Sequence, residues 1–235
     1  FKIGASAANL LPTGTNFRSR SVRLKRMLNA AVLPRAQRYL NYVSTFNPAQ
    51  KDALYSTQFK AQTGFLQSHP LEELLCEYSH LHPVDACLLT DVHTYLPDDL
   101  LPKVDITSMA NSLEARSPFL DHELMEWAAT LPPDLKLRGS QGKYILRQAI
   151  ADLVPHENMA RAKMGFGVPL GDWLRGPLKN LLHETVLSEK AFARGYFQPD
   201  EVKKLAQAHS ENREDHTARL WSLMMLEMWH LEFID

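Results

Sequence analysis

The stretch LPDDLLPKVDITSMANSLEARSPFLDHELMEWAATLP, residues 96–132, shows most directly which kind of fold the chain adopts. Its apolar residues recur at helical spacing, and prolines interrupt them. The spacing predicts a helix over 100–113 and a second helix that Asp121 caps and Pro132 ends. No convincing alternation of polar and apolar residues, which would indicate a strand, is present anywhere in the chain. We therefore predict a mainly α-helical protein.

Turn-forming and capping residues extend this prediction along the chain. Asn47 is placed to cap a helix that begins at Pro48, and Pro199 is a favourable first residue of another. A further helix is expected to open near Gln141 and to end before Pro155. Residues 1–17 are small, polar and broken by proline and glycine, so we expect a loop there. The last segment predicts a helix with an apolar stripe of Leu220, Leu223, Met224, Met228 and Leu231.

Composition excludes several classes of protein. The 235 residues are 45% hydrophobic and 23% charged, as in globular proteins, and the net charge of −1 carries no general signal for nucleic-acid binding. No run of about 18 apolar residues predicts a membrane span, and the first residues lack a signal-peptide pattern. Cys76 and Cys87 suggest reduced thiols, so a cytoplasmic location is expected. His80 and His82 lack further ligands at zinc spacing, and no metal site is predicted.

Phosphate-binding loops are missing from the sequence. It has only ten glycines, none adjacent to another, and it contains no GxGxxG, GxxxxGK[ST] or Ser-Gly-Gly turn. Any nucleotide chemistry would therefore need a phosphate cradle from another segment.

A local surplus of positive charge lies between residues 136 and 163. Two acidic residues, Asp152 and Glu157, stand there against six basic ones, a surplus of four in a chain with a net charge of −1. Such a surplus indicates either a specific anion site or a solvated helix face. The basic residues are Lys136, Arg138, Lys143, Arg147, Arg161 and Lys163.

The solvated face accounts well for Lys136 and Arg138 but less well for Lys143. The helix dipole disfavours a cation in the first turn, so a lysine behind Gly142 at a helix start is better explained by an anion beside it. Lys163 follows twenty residues later, across one helix and a proline turn, and a chain that folds back could bring both lysines to one phosphate.

The stretch RAKMGFGVPL, residues 161–170, joins Arg161 and Lys163 to two glycines around a phenylalanine. Glycines on both sides give a loop the backbone freedom to close over a ligand. A flexible surface turn with solubilising charges is the alternative, and the stretch alone does not separate the two.

Two further pairs of charged residues could support an anion site. Glu114 and Arg116 precede a proline turn, where a charge-assisted pair can buttress neighbouring groups or simply make a structural contact. Lys103 and Asp105 flank Val104, which we expect to be buried, so both charges could point into a cleft or form an ordinary solvated pair.

Taken together, three motifs resemble the C-terminal part of glutamine-dependent asparagine synthetases. They are residues 96–132 with the preceding tyrosine, the LKLRGSQGKYILRQAI stretch, and the RAKMGFGVPLGDWL stretch. The resemblance is strong over about residues 85–235, with a motif-bearing core at about 85–180, and rests on helical character alone over 18–84. It implies that 1–235 is the helical C-terminal half of an α/β synthetase domain of the adenine-nucleotide alpha-hydrolase-like (PP-loop ATP pyrophosphatase) kind.

The resemblance also implies chemistry. Such enzymes take ATP, Mg²⁺, aspartate and glutamine-derived ammonia, and they form asparagine through β-aspartyl-AMP. Lys143 matches a lysine near the nucleotide phosphates, and Lys163 one that stabilises the adenylation transition state and pyrophosphate, with Arg161 beside it. Asp105, Glu114 and Arg116 fall in positions that could support the site, the last two within the family's EARxPFLD signature.

The resemblance leaves other expectations open. By comparison with the family, the sequence begins just after a second glycine-rich loop, so the glutaminase domain and the ATP loop would be partners from the same protein, and Mg²⁺ would be bound mainly there. The chain alone is expected to be inactive, and a homodimer is compatible with the family. The alternatives are an amidotransferase that acts on another carboxylate, for example in an envelope polysaccharide, and a non-catalytic helical binding module.

Overall fold

The computed structural model describes residues 20–63, 70–161 and 167–235. The described chain is mainly helical, as the sequence predicts. It divides into two compact units. The first comprises residues 20–63 and 167–235, and the second comprises residues 70–161. No stretch of linker-like composition in the sequence predicts this division. The loop predicted for residues 1–17 lies outside the described residues.

The first unit begins with helices that follow one another closely along the chain. They are α1 (Arg20–Ala31), α2 (Arg35–Val43), α3 (Pro48–Leu54) and α4 (Thr57–Thr63). The predicted cap of α3 is confirmed: the Asn47 side chain accepts a hydrogen bond from Gln50 N at 2.9 Å, and the Gln50 side chain accepts one from Asn47 N at 3.0 Å. This reciprocal arrangement satisfies two backbone donors that a helix start otherwise leaves unpaired.

The second unit consists of helices and one small hairpin. Its elements are α5 (Pro70–Glu77), α6 (Pro83–His93), α7 (Leu101–Met109), α8 (His122–Thr130), α9 (Pro133–Lys136), β1 (Leu137–Arg138), β2 (Gln141–Gly142), α10 (Tyr144–Ala149) and α11 (His156–Ala160). Short 3₁₀ turns lie at Tyr78–His80 and Pro118–Leu120, and a π-helical turn at Leu96–Leu100 leads into α7. Asp121 caps α8 as predicted, accepting a hydrogen bond from Leu124 N at 3.0 Å.

Two predicted boundaries in this unit are wrong. The helix expected over 100–113 ends at Met109, because Ser112 has a left-handed backbone with φ of 57° and turns the chain. The helix expected near Gln141 begins only at Tyr144 and ends at Ala149, well before Pro155. Its predicted first turn is instead the second strand of a hairpin.

The hairpin depends on the backbone conformation of a glycine in its loop. Leu137 pairs with Gly142 and Arg138 with Gln141, which leaves a two-residue loop whose first residue is Gly139. Gly139 has a φ of 60°, a conformation that the tight loop requires and that glycine adopts without steric cost. The short strands escape detection by alternation, since two residues are too few to show a period.

The first unit resumes after the second. Its further helices are α12 (Leu170–Arg175), α13 (Lys179–Val186), α14 (Glu189–Ala193), α15 (Pro199–Ser210) and α16 (Thr217–Phe233). The interruption of α12 and α13 at Gly176-Pro177 and the start of α15 at Pro199 confirm the sequence prediction. An antiparallel bridge between Tyr55 and Phe197 connects this half to the α3–α4 corner, with Gln198 N donating to Leu54 O at 2.8 Å.

The largest buried apolar cluster lies in the first unit and joins residues from α3, α12, α13, α15 and α16. Its members are Leu54, Leu174, Leu182, Val186, Val202, Ala206, Leu220, Leu223 and Met224. Burial of these side chains from helices far apart in the sequence provides the main driving force for the packing of this unit.

The apolar stripe predicted for α16 is only partly right. Leu220, Leu223 and Met224 are buried, but Met228 and Leu231 are 40% and 43% exposed. The inner face continues instead with two polar residues, Glu227 and His230. Helical spacing allows either an apolar or a polar continuation of this face, and the ion pair of Glu227 with Arg194, the residue after α14, favours the polar one.

The second unit has few buried side chains of its own. Among residues 70–161 only Leu75, Ala86 and Thr90 are buried. Large apolar side chains of α7, α8 and the segment between them face outward, namely Val104, Ile106, Met109, Leu113, Phe119 and Trp127. This group is called the exposed apolar face below. No helix in the described ranges is long and apolar enough to cross a membrane.

Candidate anion site in the second unit

Lys143 stands at the junction between the hairpin and α10. It directly precedes Tyr144 with a left-handed backbone, φ 57° and ψ 37°, and its side chain is exposed. Left-handed geometry costs a residue with a Cβ about 1–2 kcal/mol relative to the right-handed form. The Lys143 side chain makes no hydrogen bond or ion pair within the described residues, so its ammonium group is open to a ligand.

Lys136 does not lie on a solvated face, and that interpretation is wrong. Its ammonium group is 2.8 Å from Asp85 Oδ1 and donates to Ala129 O at 2.9 Å, while its side chain is only 14% exposed. The pair thus joins α6 to the end of α8 and to α9. A lysine engaged in this way is a structural residue and is not available to an anion.

Arg138 remains exposed but is not free. Its guanidinium donates to Tyr144 Oη at 2.7 Å and lies 3.9 Å from the centre of that ring. This contact spans the hairpin and the start of α10, so it braces the backbone on both sides of Lys143.

Arg147, on α10, binds the backbone at the end of α11. Its guanidinium donates to Met159 O at 2.8 Å, so the end of α11 is held against α10. Arg161 follows α11 directly, with an extended backbone and an exposed side chain that makes no hydrogen bond or ion pair within the described residues. Sequence reasoning counted Arg147 only as part of the basic surplus. The hydrogen bond by which Arg147 holds α11 against α10 is visible only in the folded chain.

The basic cluster is thereby divided. Lys136, Arg138 and Arg147 are engaged with the protein, whereas Lys143 and Arg161 are exposed and uncommitted. Lys163 lies outside the described residues, so its placement beside Lys143 stays a prediction. Within the described residues, Lys143 and Arg161 are therefore the members of the cluster whose cations are available to an anion.

The proposed supporting residues form a separate surface. Glu114 and Arg116 pair with each other at 2.8 Å, with side chains 69% and 86% exposed, and neither bonds to Lys143. Asp105 is exposed on α7. The valine beside it, Val104, is 50% exposed, so the expectation that it is buried is wrong.

Lys103 is occupied by a partner on its own helix turn. Its ammonium group lies 3.3 Å from Asp99 Oδ1, an ordinary surface pair. It is therefore not directed into a cleft by this contact.

A Mg²⁺ ion finds no binding site among these residues. Magnesium takes oxygen ligands, with carboxylates as the usual protein donors. Nowhere in the described ranges do three acidic, histidine or cysteine side chains converge as a metal site would need. Asp105 and Glu114 therefore do not form a Mg²⁺ site within the described residues.

The described residues thus form a mainly helical protein in which the Lys143 and Arg161 side chains and several large apolar side chains are exposed. The family model described as Asparagine synthase matches residues 6–231 of the chain. The chain therefore belongs to the asparagine synthase family. The match begins well before residue 85, so the family likeness covers more of the chain than its three motifs.

Individual relatives agree with this family. Asparagine synthetase [glutamine-hydrolyzing] 1 of Bacillus subtilis is 28% identical over 209 residues, which cover 89% of this chain and 32% of the relative. A Mycobacterium bovis relative that also bears an asparagine synthetase name is 32% identical over 216 residues, 91% of this chain and 32% of its own length. The amidase chyE of Penicillium rubens is 31% identical over 122 residues, 49% of this chain and 18% of the relative.

The chain thus spans about a third of the length of the asparagine synthetases it matches. No solved structure matches it.

Proposed function

We propose that this chain supplies the helical part of an ATP-dependent amide-forming site that converts aspartate to asparagine. In the proposed reaction the β-carboxylate of aspartate attacks the α-phosphorus of ATP, and pyrophosphate leaves. Ammonia released from glutamine then attacks the acyl carbon of β-aspartyl-AMP, and AMP leaves. Membership of the asparagine synthase family supports the reaction class.

One observation in the structure carries the proposal: Lys143 keeps a left-handed backbone although glycine would adopt it more easily. The residue lies beside Gly142, so the chain has glycine nearby and yet places a lysine at the strained position. A strained, exposed and uncommitted side chain is typical of a functional position, and strain is the observation from which a function can be inferred. The ammonium group is suited to bind the phosphates of ATP.

The proposed roles of the cations follow from the charge that develops in the reaction. Negative charge builds on the departing pyrophosphate, and donors aimed at that charge lower the barrier. We assign Lys143 to the nucleotide phosphates, Lys163 to pyrophosphate in the transition state, and Arg161 to the same anion. Removal of one such donor typically costs about 3–4 kcal/mol of barrier.

The exposed apolar face supports the rest of the proposal. In residues 70–161 almost no side chain is buried, while Ile106, Phe119 and Trp127 are 66%, 63% and 55% exposed. Large apolar side chains that are exposed in such number favour a contact with another protein layer. We propose that it packs against the α/β nucleotide-binding half of a PP-loop synthetase domain, which would supply the phosphate loop and the Mg²⁺ ligands.

The test is aspartate-dependent pyrophosphate release from ATP by the full-length gene product. Lys143→Ala and Lys163→Ala are each expected to lower the rate at least about 100-fold. Glutamine hydrolysis should continue in both variants. Lys179→Ala, which changes an exposed lysine of α13 outside the site, is the control and should retain the parent rate. Unchanged pyrophosphate release in the first two variants would remove these lysines from the mechanism.

A second candidate is amide formation on a different carboxylate. The similarity to the amidase chyE supports it, because a related sequence occurs in a protein that is not named as an asparagine synthetase. The same assay separates the two functions when aspartate is replaced by a panel of other carboxylic acids. Pyrophosphate release with another acid, and none with aspartate, would favour the second candidate. No release with any acid would favour a non-catalytic helical module.

A further inference from the structure

One arginine connects the two uncommitted cations of the second unit. Arg147 lies one helical turn after Lys143, and its backbone N–H donates to the Lys143 carbonyl oxygen at 3.0 Å. Its guanidinium Nη1 donates to the carbonyl oxygen of Met159 at 2.8 Å. Arg161 follows Met159 by two residues, a separation of at most about 7 Å between their Cα atoms. Two hydrogen bonds of a single residue therefore lead from one uncommitted cation to the segment that carries the other.

The contact between Arg147 and Met159 is the attachment that holds α11 in place. In the part of the chain that the structure describes, no other hydrogen bond or ion pair joins residues 155–161 to a residue outside that segment. The side chains of α11 are exposed apart from that of Met159, which is half-buried. The position of Arg161 relative to Lys143 thus depends mainly on the side chain of Arg147.

The charges around this contact favour an anion as ligand. Lys143, Arg147 and Arg161 form no ion pair within the described residues. The acidic residues of the stretch between them, Asp152 and Glu157, are exposed and do not pair with them. Like charges held near one another repel, so such a set is stabilised by an anion that the cations share. A phosphate or diphosphate group suits it, because lysine provides a point charge and arginine a pair of parallel donors.

We propose that Arg147 is a positioning residue, which sets the separation of Lys143 and Arg161 so that both bind one phosphate or diphosphate group. It acts through its hydrogen bond to the Met159 carbonyl oxygen and does not itself contact the anion. Its side chain is half-buried, whereas the two side chains that it positions are exposed. The assignment of this anion to the pyrophosphate of ATP rests on the function proposed above.

Binding of inorganic pyrophosphate to the full-length gene product tests this role in a double-mutant cycle. Calorimetry measures the dissociation constant for the parent, Arg147→Met, Arg161→Ala and the double variant. Methionine keeps an apolar stem in place of Arg147 and removes its donors. We expect each single substitution to weaken binding about tenfold, the usual effect of losing one hydrogen bond to a charged group. The double variant should bind no more weakly than either single variant, because Arg161 no longer reaches the anion once Arg147 is lost.

The cycle separates positioning from two other roles that Arg147 could have. If Arg147 bound the anion directly and independently, the two losses would multiply to about 100-fold in the double variant, which would overturn the proposal. If Arg147 only maintained the fold of the site, its loss would also abolish the contribution of Lys143. Lys143→Ala should therefore weaken binding both in the parent and in the Arg147→Met background. Loss of its effect in that background would likewise overturn the proposal.

Two further variants serve as the rescue and the control. Arg147→Lys keeps one charged donor for the same carbonyl oxygen and should bind pyrophosphate more tightly than Arg147→Met. Arg213→Met changes an arginine that is 59% exposed beside Glu211 in the first unit, and it should bind as the parent does. The proposal is rejected if Arg147→Lys binds no better than Arg147→Met, if Arg147→Met binds as the parent does, or if the parent binds no pyrophosphate.

Amide hydrogen exchange of residues 156–161 measures the attachment of α11 without any ligand. We expect exchange to be about tenfold faster in Arg147→Met than in the parent, since the helix loses the hydrogen bond that joins it to α10. Arg213→Met should exchange like the parent. Equal exchange in Arg147→Met and the parent would show that Arg147 does not hold α11, and the proposal would fall.

Pyrophosphate release from ATP distinguishes this proposal from the proposed function. If the protein binds pyrophosphate with the expected pattern but releases none from ATP with any carboxylic acid, the proposed function fails and the positioning role stands. If aspartate-dependent release occurs while the losses of the double variant multiply, the proposed function stands and the positioning role is rejected.

Discussion

Arg194 and Glu227 form a bidentate ion pair that is almost completely buried. Arg194 Nε lies 2.7 Å from Glu227 Oε2, and a terminal guanidinium nitrogen lies 2.8 Å from Oε1, while the two side chains are 12% and 7% exposed. Arg194 follows α14 and Glu227 lies on the inner face of α16. The pair therefore joins the end of α14 to α16 and explains why a carboxylate is buried on the inner face of α16.

Removal of one partner of this pair should be costly. We predict that Glu227→Ala lowers the free energy of unfolding by about 3 kcal/mol, the lower end of the cost of breaking a buried pair, because the buried Arg194 keeps only Asp235 as a carboxylate partner. Denaturant unfolding measures the effect. Glu201→Ala removes an exposed pair with Lys204 and should cost less than about 1 kcal/mol. Equal effects of the two substitutions would show that burial of the Arg194 pair does not matter.

The same arginine makes stability depend on pH through Asp235. Hydrogen bonds from Arg194, and then from Lys190, lower the pKa of Asp235 to about 2 in the folded state. A depressed carboxylate pKa stabilises the fold above the unfolded value of about 3.9, and the contribution is lost as the pH falls towards 2. We predict that Asp235→Asn reduces the slope of the unfolding free energy between about pH 4 and 2. Asp200→Asn, at an exposed position of α15, should leave that slope unchanged.

The ion pair between Lys136 and Asp85 should contribute to the stability of the fold. We predict that Lys136→Met lowers the free energy of unfolding by about 2 kcal/mol, between the values for exposed and fully buried pairs, since it leaves Asp85 without its cation. Lys103→Met, at a lysine 58% exposed, should change it by less than about 0.5 kcal/mol. Thermal or urea unfolding distinguishes the two. If Lys136→Met left the free energy of unfolding unchanged, the lysine would be only a surface charge, as the sequence suggests.

Lys143→Gly separates the folding and functional roles of the strained position. Glycine relieves the left-handed backbone but gains entropy when unfolded, so the free energy of unfolding should change by less than about 1 kcal/mol. Pyrophosphate release should nevertheless fall about 100-fold. Asn212→Gly, at a left-handed residue outside the candidate site, should leave both quantities close to the parent values. Retained activity in Lys143→Gly would mean that the side chain is dispensable.

Gly171 should tolerate no side chain. An added Cβ would approach Thr217 Oγ1 to 2.7 Å, and that hydroxyl is held by a hydrogen bond to Asp215 Oδ1. We predict a loss of about 1–3 kcal/mol for Gly171→Ala, the usual cost of overpacking. Gly142→Ala, where an added Cβ meets nothing within 4 Å, is the matched control and should be much milder. Comparable melting temperatures for the two variants would contradict this packing.

Features that depend on near neighbours in the chain could be predicted from the amino-acid sequence. The helical class, the caps at Asn47 and Asp121 and the helix start at Pro199 were predictable, because a cap or a proline acts within one helical turn. The family motifs were also visible, since they are contiguous stretches. The Gly139 hairpin was missed although its signal is local, because strands of two residues show no period.

The partners of the charged side chains could be identified only in the folded chain. Lys136 and Lys143 have similar positions in the same basic cluster, yet the first is engaged by Asp85, 51 residues earlier, and the second is left open. Glu227 and His209 are polar residues with distant partners, and burial is favourable for them only because Arg194 and Gly171 lie within bonding distance. Such pairings join residues far apart in the chain, and a pattern of period 3.6 contains no information about them.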